Sequence, residues 1–226
     1  MPPQRNRVRP AIRRILVTAG PTREMLDPVR FIANLSTGEM GYAIAREARR
    51  RGFVVTLISG PTSLKSPRRV RLIPIVTVEE LGRAMRKYFY WSDVLVMAAA
   101  VGDFIPVKRA LKKIPRQKTW KVLFRQSPDL VRQMAQRKKG RIVIGFSLET
   151  ENWLERSRSK REAKNLDGVV ANYFSSRHNP FGRTKVHVAL IDAQGVRILR
   201  SPSKPALAQS IINWIIALSR TRKYNK

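Results

Sequence analysis

Short apolar runs, the first two closed by Gly-Pro, recur along the chain with stretches of helical character between them. Residues 15–19 (Ile-Leu-Val-Thr-Ala) stop at Gly20-Pro21, and residues 53–58 stop at Gly60-Pro61. Residues 70–76, 93–98, 141–146 and 167–171 repeat the pattern. Runs this short and this continuous suit strands buried on both faces. Between them, residues 42–48 (Tyr-Ala-Ile-Ala-Arg-Glu-Ala) predict an Ala-rich helix ended by Gly52. Thr77, with Glu80 three residues on, reads as a capping box. Ser127-Pro128 predicts an N-cap followed by proline at the first helical position. Further helices are expected over residues 150–164 and 203–220. Residues 186–192 and 196–200 flank Ala193-Gln194-Gly195 and predict a hairpin. Strands alternating with helices dictate an α/β fold: a Rossmann-like, doubly wound, mainly parallel sheet. Residues 22–37 lack a period, contain Asp27-Pro28 and read as a loop. Residues 108–125 break the alternation. They are basic, residues 120–124 predict a small extra strand, and the segment reads as a flap outside the main sheet.

Charge and residue usage then narrow the function classes. With 226 residues, 43% hydrophobic, the chain fits one domain with a small appendage. Against 46 Lys+Arg stand 15 Asp+Glu, a net charge of +31. Such a field attracts polyanions: nucleic acid, anionic membrane surfaces or phosphorylated small molecules. No cysteine is present, which removes disulfides, thiolate nucleophiles and Cys-based metal sites. His178 and His187 alone make a His-rich metal centre improbable. Residues 1–14 form a basic arm with no signal-peptide run after it, and residues 221–226 a basic tail. The most apolar C-terminal stretch, residues 211–218, is interrupted by Asn213 and falls far short of the roughly 18 residues of a membrane span. A cytoplasmic protein without a membrane partner is expected.

In an open α/β sheet, ligands bind beyond the carboxyl ends of the strands. Three loops should lie there: residues 20–40, 98–103 and 145–149. The first holds Arg30, Asn34, Ser36, Thr37 and Gly38, and Gly41 follows directly after it. Gly38 and Gly41 allow a ligand to approach the backbone, and the following helix offers unpaired N–H groups to an anion. On a plainer reading of equal weight, the two glycines only permit tight helix–strand packing and Asn34 only turns the chain. Ala98, Ala99 and Ala100 leave room for a flat base or a ribose, and Asp103 suits a ribose hydroxyl or a magnesium ion; taken alone, a packed strand end with a turn-forming Asp explains them better. Lys160 and Lys164, with Arg156 one turn earlier, repel at i,i+4 by about 0.2–0.5 kcal/mol. A triphosphate would reverse that sign, although a solvated basic face is the plainer account. The dinucleotide fingerprint Gly-x-Gly-x-x-Gly is absent, which opposes a nicotinamide oxidoreductase.

In this order the segments form a known pattern. "ILVTAGPTREMLDPVRFIANLSTGEMGYAIA", "VTLISGP", "MAAAVGDF", "SPDLV", "GFSLET" and "KREAKNLDGVVAN" follow at spacings that resemble phosphopantothenoylcysteine synthetases, the ligase half of bacterial bifunctional coenzyme A enzymes. The resemblance spans residues 15–220. It implies a ligase that couples 4′-phosphopantothenate to cysteine through an acyl-cytidylate made from CTP with magnesium, in a homodimer whose sites borrow residues across the interface. By motif, Asn34 would contact the acyl intermediate, with Arg30 in the same signature. Ala98, Ala99, Ala100 and Asp103 would form the nucleotide loop, and Ser127, Pro128, Asp129 and Leu130 would line the nucleotide site. Phe146 would pack on the base, Lys160 and Lys164 would meet the phosphates, and Lys113 would be the mobile lysine of the flap.

The sequence also departs from that pattern. The flap reads Lys113-Ile114-Pro115-Arg116 where Lys-Ile-Lys-Lys is usual. Glu39 stands where lysine is usual, Phe104 where tyrosine is, and Lys185 where a late asparagine is. No flavin-dependent decarboxylase half is present, so no flavin and a separate decarboxylase are expected. The rival readings are an inactive paralogue and a basic nucleic-acid-binding protein on the same scaffold. Non-specific, salt-sensitive RNA association fits either the ligase or that rival.

Overall fold

A computed structural model of the chain describes residues 12–175, 187–200 and 203–221. His178, Lys185 and most of the basic arm and tail lie outside these residues. Its strands are β1 (Arg14–Ala19), β2 (Arg23–Met25), β3 (Phe31–Ala33), β4 (Val54–Ser59), β5 (Arg71–Pro74), β6 (Val94–Met97), β7 (Phe104–Pro106), β8 (Phe124–Gln126), β9 (Ile142–Glu149), β10 (Gly168–Tyr173), β11 (His187–Asp192) and β12 (Val196–Arg200). Its helices are α1 (Glu39–Arg50), α2 (Val78–Phe89), α3 (Leu130–Gln136), α4 (Trp153–Ala163) and α5 (Lys204–Thr221).

Eight strands form one sheet in the order β12-β11-β10-β9-β6-β1-β4-β5. From β10 to β5 all neighbours run parallel, and β11 and β12 close one edge antiparallel. The parallel strands follow the doubly wound order in which the chain reverses direction between β1 and β6. Successive side chains of a strand point to opposite faces, and here both faces are apolar. Ile15, Val17, Val94, Val96, Ile142, Ile144 and Val170 pack with α1 and α5. Leu16, Leu95, Val143, Val169 and Ala171 pack with α2 and α3, and Trp153 and Leu154 of α4 join them at the margin. That two-sided burial is why the strands read as apolar runs and not as alternation. Among the described residues, no helix is long and apolar enough to cross a membrane.

Several expectations need correction. Residues 22–37 are not all loop: β2 and β3 pair as an antiparallel hairpin. Each strand is only three residues long, too short to show a period of two. The extra strand lies at residues 124–126, not 120–124, and pairs with β7. The N-cap of α3 is Asp129, whose Oδ1 accepts from Arg132 N at 3.0 Å, so Ser127 and Pro128 lie before the helix. Aspartate is at least as good a cap as serine, and it takes the position nearer the apolar face. Thr77 does cap α2 through Glu80 N (3.2 Å), but Glu80 reaches back to Val76 N (2.6 Å), one residue beyond the reciprocal bond of a capping box.

Candidate active site

The Gly-Pro stops after β1 and β4 do more than end strands. Gly20 takes φ +72°, and a Cβ on Gly60 would sit 1.8 Å from the Pro21 carbonyl oxygen. The two backbones therefore touch at the carboxyl ends of adjacent strands, and only glycine permits it. From there the β1 loop is tied to the β6 loop. Ala100 N donates to Gly20 O (2.9 Å) and Thr22 N to Ala100 O (3.2 Å). The buried hydroxyls add two more ties: Thr18 Oγ1 accepts from Ala99 N (3.1 Å) and Thr22 Oγ1 from Gly102 N (3.0 Å). Asn34 Nδ2 donates to Val101 O at 2.9 Å. The backbone over residues 98–102 is thus pinned by the β1 loop backbone and by the side chains of Thr18, Thr22 and Asn34, and its alanines border open space.

That space is a cavity of about 810 Å³ at the carboxyl ends of β1, β6 and β9. It is lined by Asn34, Ser36, Thr37, Gly38, Gly41, Ala98, Ala99, Ala100, Asp103, Ser127, Pro128, Asp129, Leu130, Phe146, Lys160 and Lys164. The structure therefore brings together the three loops and the two lysines singled out from sequence. Gly38 is the left-handed N-cap of α1 (φ +79°) and has no side chain to cap it; Thr37 Oγ1 accepts weakly from Glu39 N (3.4 Å), and the start of the helix, residues 38–41, lines the cavity. Gly41 serves the plainer purpose as well, since a Cβ there would fall 2.5 Å from the Ala19 Cβ.

Among the described residues the cavity's charges are balanced: Lys160, Lys164 and Lys204 against Glu39, Asp103 and Asp129. Lys164 Nζ lies 2.9 Å from Asp129 Oδ2 and Lys160 Nζ 3.8 Å from Glu149 Oε1. Lys204 pairs with Glu39. Ser147 Oγ bridges, donating to Glu149 Oε1 (2.7 Å) and accepting from Lys160 Nζ (3.4 Å). Lys204 has no motif around it in the sequence; it arrives from α5, which packs beside α1 on the same face of the sheet. Asn172 and Gln126 also line the cavity without a sequence signal.

Arg30 and Lys113 do not line it. Arg30 lies over the Trp120 ring (4.5 Å) and donates to both Asp27 Oδ2 (2.5 Å, 2.8 Å) and Ile114 O (2.7 Å). Ile114 N returns a bond to Asp27 Oδ2 (3.3 Å). The buried Asp27 carboxylate also accepts from Val29 N and Arg30 N. The Arg30 guanidinium, aided by these backbone donors, holds its carboxyl well below the usual carboxylate range. This clamp fastens residues 107–123 to the β2–β3 turn and leaves Lys113, one residue before Ile114, exposed.

A family model described as the DNA/pantothenate metabolism flavoprotein C-terminal domain matches residues 11–218. The chain is 38% identical over 207 residues to the coenzyme A biosynthesis bifunctional protein CoaBC of Escherichia coli strain K12, covering 89% of this chain and 51% of that protein. It is 37% identical over 209 residues to CoaBC of Bacillus subtilis, covering 91% and 52%. The crystal structure of the C-terminal domain of CoaBC superposes with a TM-score of 0.79 at 31% identity, over 92% of this chain and 96% of that one. The chain spans about half the length of the curated relatives it matches. A match over nearly the whole sheet, together with the loops that build the cavity, makes this chain a member of the DNA/pantothenate metabolism flavoprotein C-terminal domain family.

Proposed function

We propose that the chain joins 4′-phosphopantothenate to L-cysteine through an acyl-cytidylate, a step of coenzyme A biosynthesis. The observation that carries this reading is the cavity itself, which gathers the glycine-capped α1 N-terminus, the pinned small-residue loop and Lys160 with Lys164 around one space. The relatives' names support the pathway. A carboxylate oxygen of phosphopantothenate attacks the α-phosphorus of CTP, the bond to the bridging oxygen breaks, and pyrophosphate leaves. The cysteine amine then attacks the acyl carbon, CMP leaves with the C–O electron pair, and the amine proton passes to solvent. The protein's contribution is positioning and charge stabilisation.

In this reading Phe146 and the 98–100 loop take the base and ribose, and Asn34 presents its amide to the acyl group. The α1 N–H groups, Lys160, Lys164 and Lys204 take phosphate oxygens. Asp103 is the cavity carboxylate that fits magnesium: no cluster of three acidic, His or Cys ligands exists among the described residues, and magnesium commonly takes one or two carboxylates plus substrate phosphates. When bound there the ion neutralises phosphate charge. Lys113 closes over the phosphates from the segment that Arg30 anchors. A homodimer is supported by apolar side chains exposed on the two hairpins and the adjoining segment: Phe31, Ile32, Phe104, Val107 and Leu123. A decarboxylase acting on the cysteinyl carboxylate would consume the product.

The test incubates the protein with phosphopantothenate, cysteine, magnesium and either CTP or ATP, with product mass and released phosphate species as readouts. CTP-dependent pyrophosphate release that needs phosphopantothenate is expected. Release of orthophosphate would replace the cytidylate with an acyl phosphate, and no product with either nucleotide would reject the ligase.

A further inference from the structure

The cavity does not account for the net charge of +31. Among the described residues its lining holds no arginine and as many carboxylates as lysines. The surplus lies elsewhere, and one part of it is arranged with aromatic rings. The parallel strands all begin at the end of the sheet away from the cavity, where Arg14 opens β1, Arg71 opens β5 and Arg141 precedes β9. Helix α2 terminates at that same end and delivers Tyr88, Phe89, Tyr90 and Trp91 in succession.

The cations lie over the rings. Arg14 is 5.1 Å from the Trp91 ring centre, Arg71 5.1 Å and Lys87 5.7 Å from Tyr88, and Arg141 5.2 Å from Tyr90. Arg141 is held in plane by bonds to the carbonyls of Tyr90 (2.7 Å), Ser92 (3.1 Å) and Phe89 (3.2 Å), which also close the C-terminus of α2. Tyr90 is 49% exposed, while Tyr88 and Trp91 are half-buried. Two acids adjoin this surface. Asp93 accepts from the backbone N–H groups of Arg13 and Arg14, and Asp167 is paired with Lys138. From β9 to β5 is four strand spacings, about 19 Å at ~4.8 Å each.

We propose that this end of the sheet binds single-stranded RNA. A row of cations beside aromatic faces is what an extended strand needs: phosphates follow the charge while unstacked bases lie on the rings and on guanidinium planes. A duplex hides its bases and cannot use the rings, and a uniformly basic surface would not need them. Residues 86–91 (Arg-Lys-Tyr-Phe-Tyr-Trp) carry the rings in one linear run, and Arg14, Arg71 and Arg141 join it from β1, β5 and the approach to β9.

The test is fluorescence anisotropy of a labelled oligouridine with the full chain at physiological salt. Tyr90→Ala should weaken binding about 5-fold or more, the loss of one stacked base, while Tyr90→Phe keeps the affinity. Arg197→Gln, which removes an exposed charge on β12 at the sheet edge, should leave it nearly unchanged. Tyr90 is a surface residue, and circular dichroism checks that the variant is folded. Equal binding by Tyr90→Ala and the parent overturns the proposal, as does duplex RNA binding as tightly as the single strand. Loss of binding in Lys160→Gln/Lys164→Gln with Tyr90→Ala intact would move the RNA to the cavity. Tighter binding of the matching single-stranded DNA, or displacement of RNA by vesicles containing phosphatidylserine, would assign the surface to DNA or to a membrane.

Discussion

Each cavity lysine is held by a carboxylate, so an incoming polyanion must compete for it: Lys160 with Glu149, Lys164 with Asp129, Lys204 with Glu39. The Glu39–Lys204 pair has a particular meaning. Glu39 stands where the synthetase pattern expects lysine, at the α1 N-terminus, and Lys204 supplies a cation to the same place from another helix. Lys204→Gln should therefore raise the nucleotide KM by about 10-fold, the scale of one charge-assisted hydrogen bond, with kcat less affected. Glu39→Gln frees the lysine and should lower that KM; an unchanged KM in both variants would remove Lys204 from the phosphate site. Asn34→Asp is the companion case. It deletes the donor to Val101 O and sets a carboxylate against both that carbonyl and an anionic intermediate. Turnover should fall by about 10²-fold or more, in the range of a lost transition-state donor, without global unfolding. The sequence could point to Asn34 because it sits inside a dense motif. It could not point to Lys204, whose role comes from the packing of α5 beside α1 and not from any neighbour in the chain.

At the scale of elements, the sheet could be read from the sequence because its central parallel strands β1, β4, β6, β9 and β10 are largely buried on both faces, and β1 and β4 stop at Gly-Pro. The hairpins β2–β3 and β7–β8 could not: three-residue strands are fixed by what they touch. For β2–β3 that anchor is Asp27, buried and bonded to Arg30, Ile114, Val29 and Arg30 N. Its pKa lies below that of the unfolded chain, so its contribution to stability is present above the ordinary carboxylate range near pH 3.9. That contribution is lost as the pH falls through the folded value. Glu47, lowered chiefly by its hydrogen bond from Arg50, acts in the same direction. Glu24 acts oppositely: burial raises its pKa, so it favours the folded state only while protonated, and that gain is lost as the pH rises. Asp27→Asn should remove Asp27's share of the acid dependence and release residues 107–123 from the β2–β3 turn. Hydrogen exchange at Ile114 N and Arg30 N is the measurement. Undiminished protection in Asp27→Asn would show that Trp120 stacking on Arg30 suffices. The flap prediction rests on the same anchor. Lys113→Gln should cost orders of magnitude in activity, and Lys112→Gln and Lys118→Gln little; if the Lys112 and Lys113 variants exchange behaviour, the flap is aligned one residue off.

The whole molecule carries 46 Lys+Arg against 15 Asp+Glu, and its fold must hold together against that repulsion. The described ion pairs engage eight of the 15 acids, and the 46 Lys+Arg outnumber all the acids about three to one. Self-repulsion of this kind destabilises the compact state. Screening relieves it, because the Debye length shrinks from about 30 Å at 0.01 M to about 8 Å at 0.15 M ionic strength. Sodium chloride over that range should therefore raise the Tm. For a domain of this size roughly 2–4 °C corresponds to each kcal/mol recovered, and several degrees in all is the expected outcome by calorimetry. Acid should act in the opposite sense, since protonating 15 carboxylates leaves the cations unopposed. Two causes of salt stabilisation can be separated. If chloride acts by general screening, Lys160→Gln/Lys164→Gln shows the same slope of Tm against salt from a shifted baseline. If it acts by filling the cavity, the slope collapses in that variant. A Tm that is flat or falling with salt in the parent protein would mean that the positive charges are already spread far enough apart to cost the fold little.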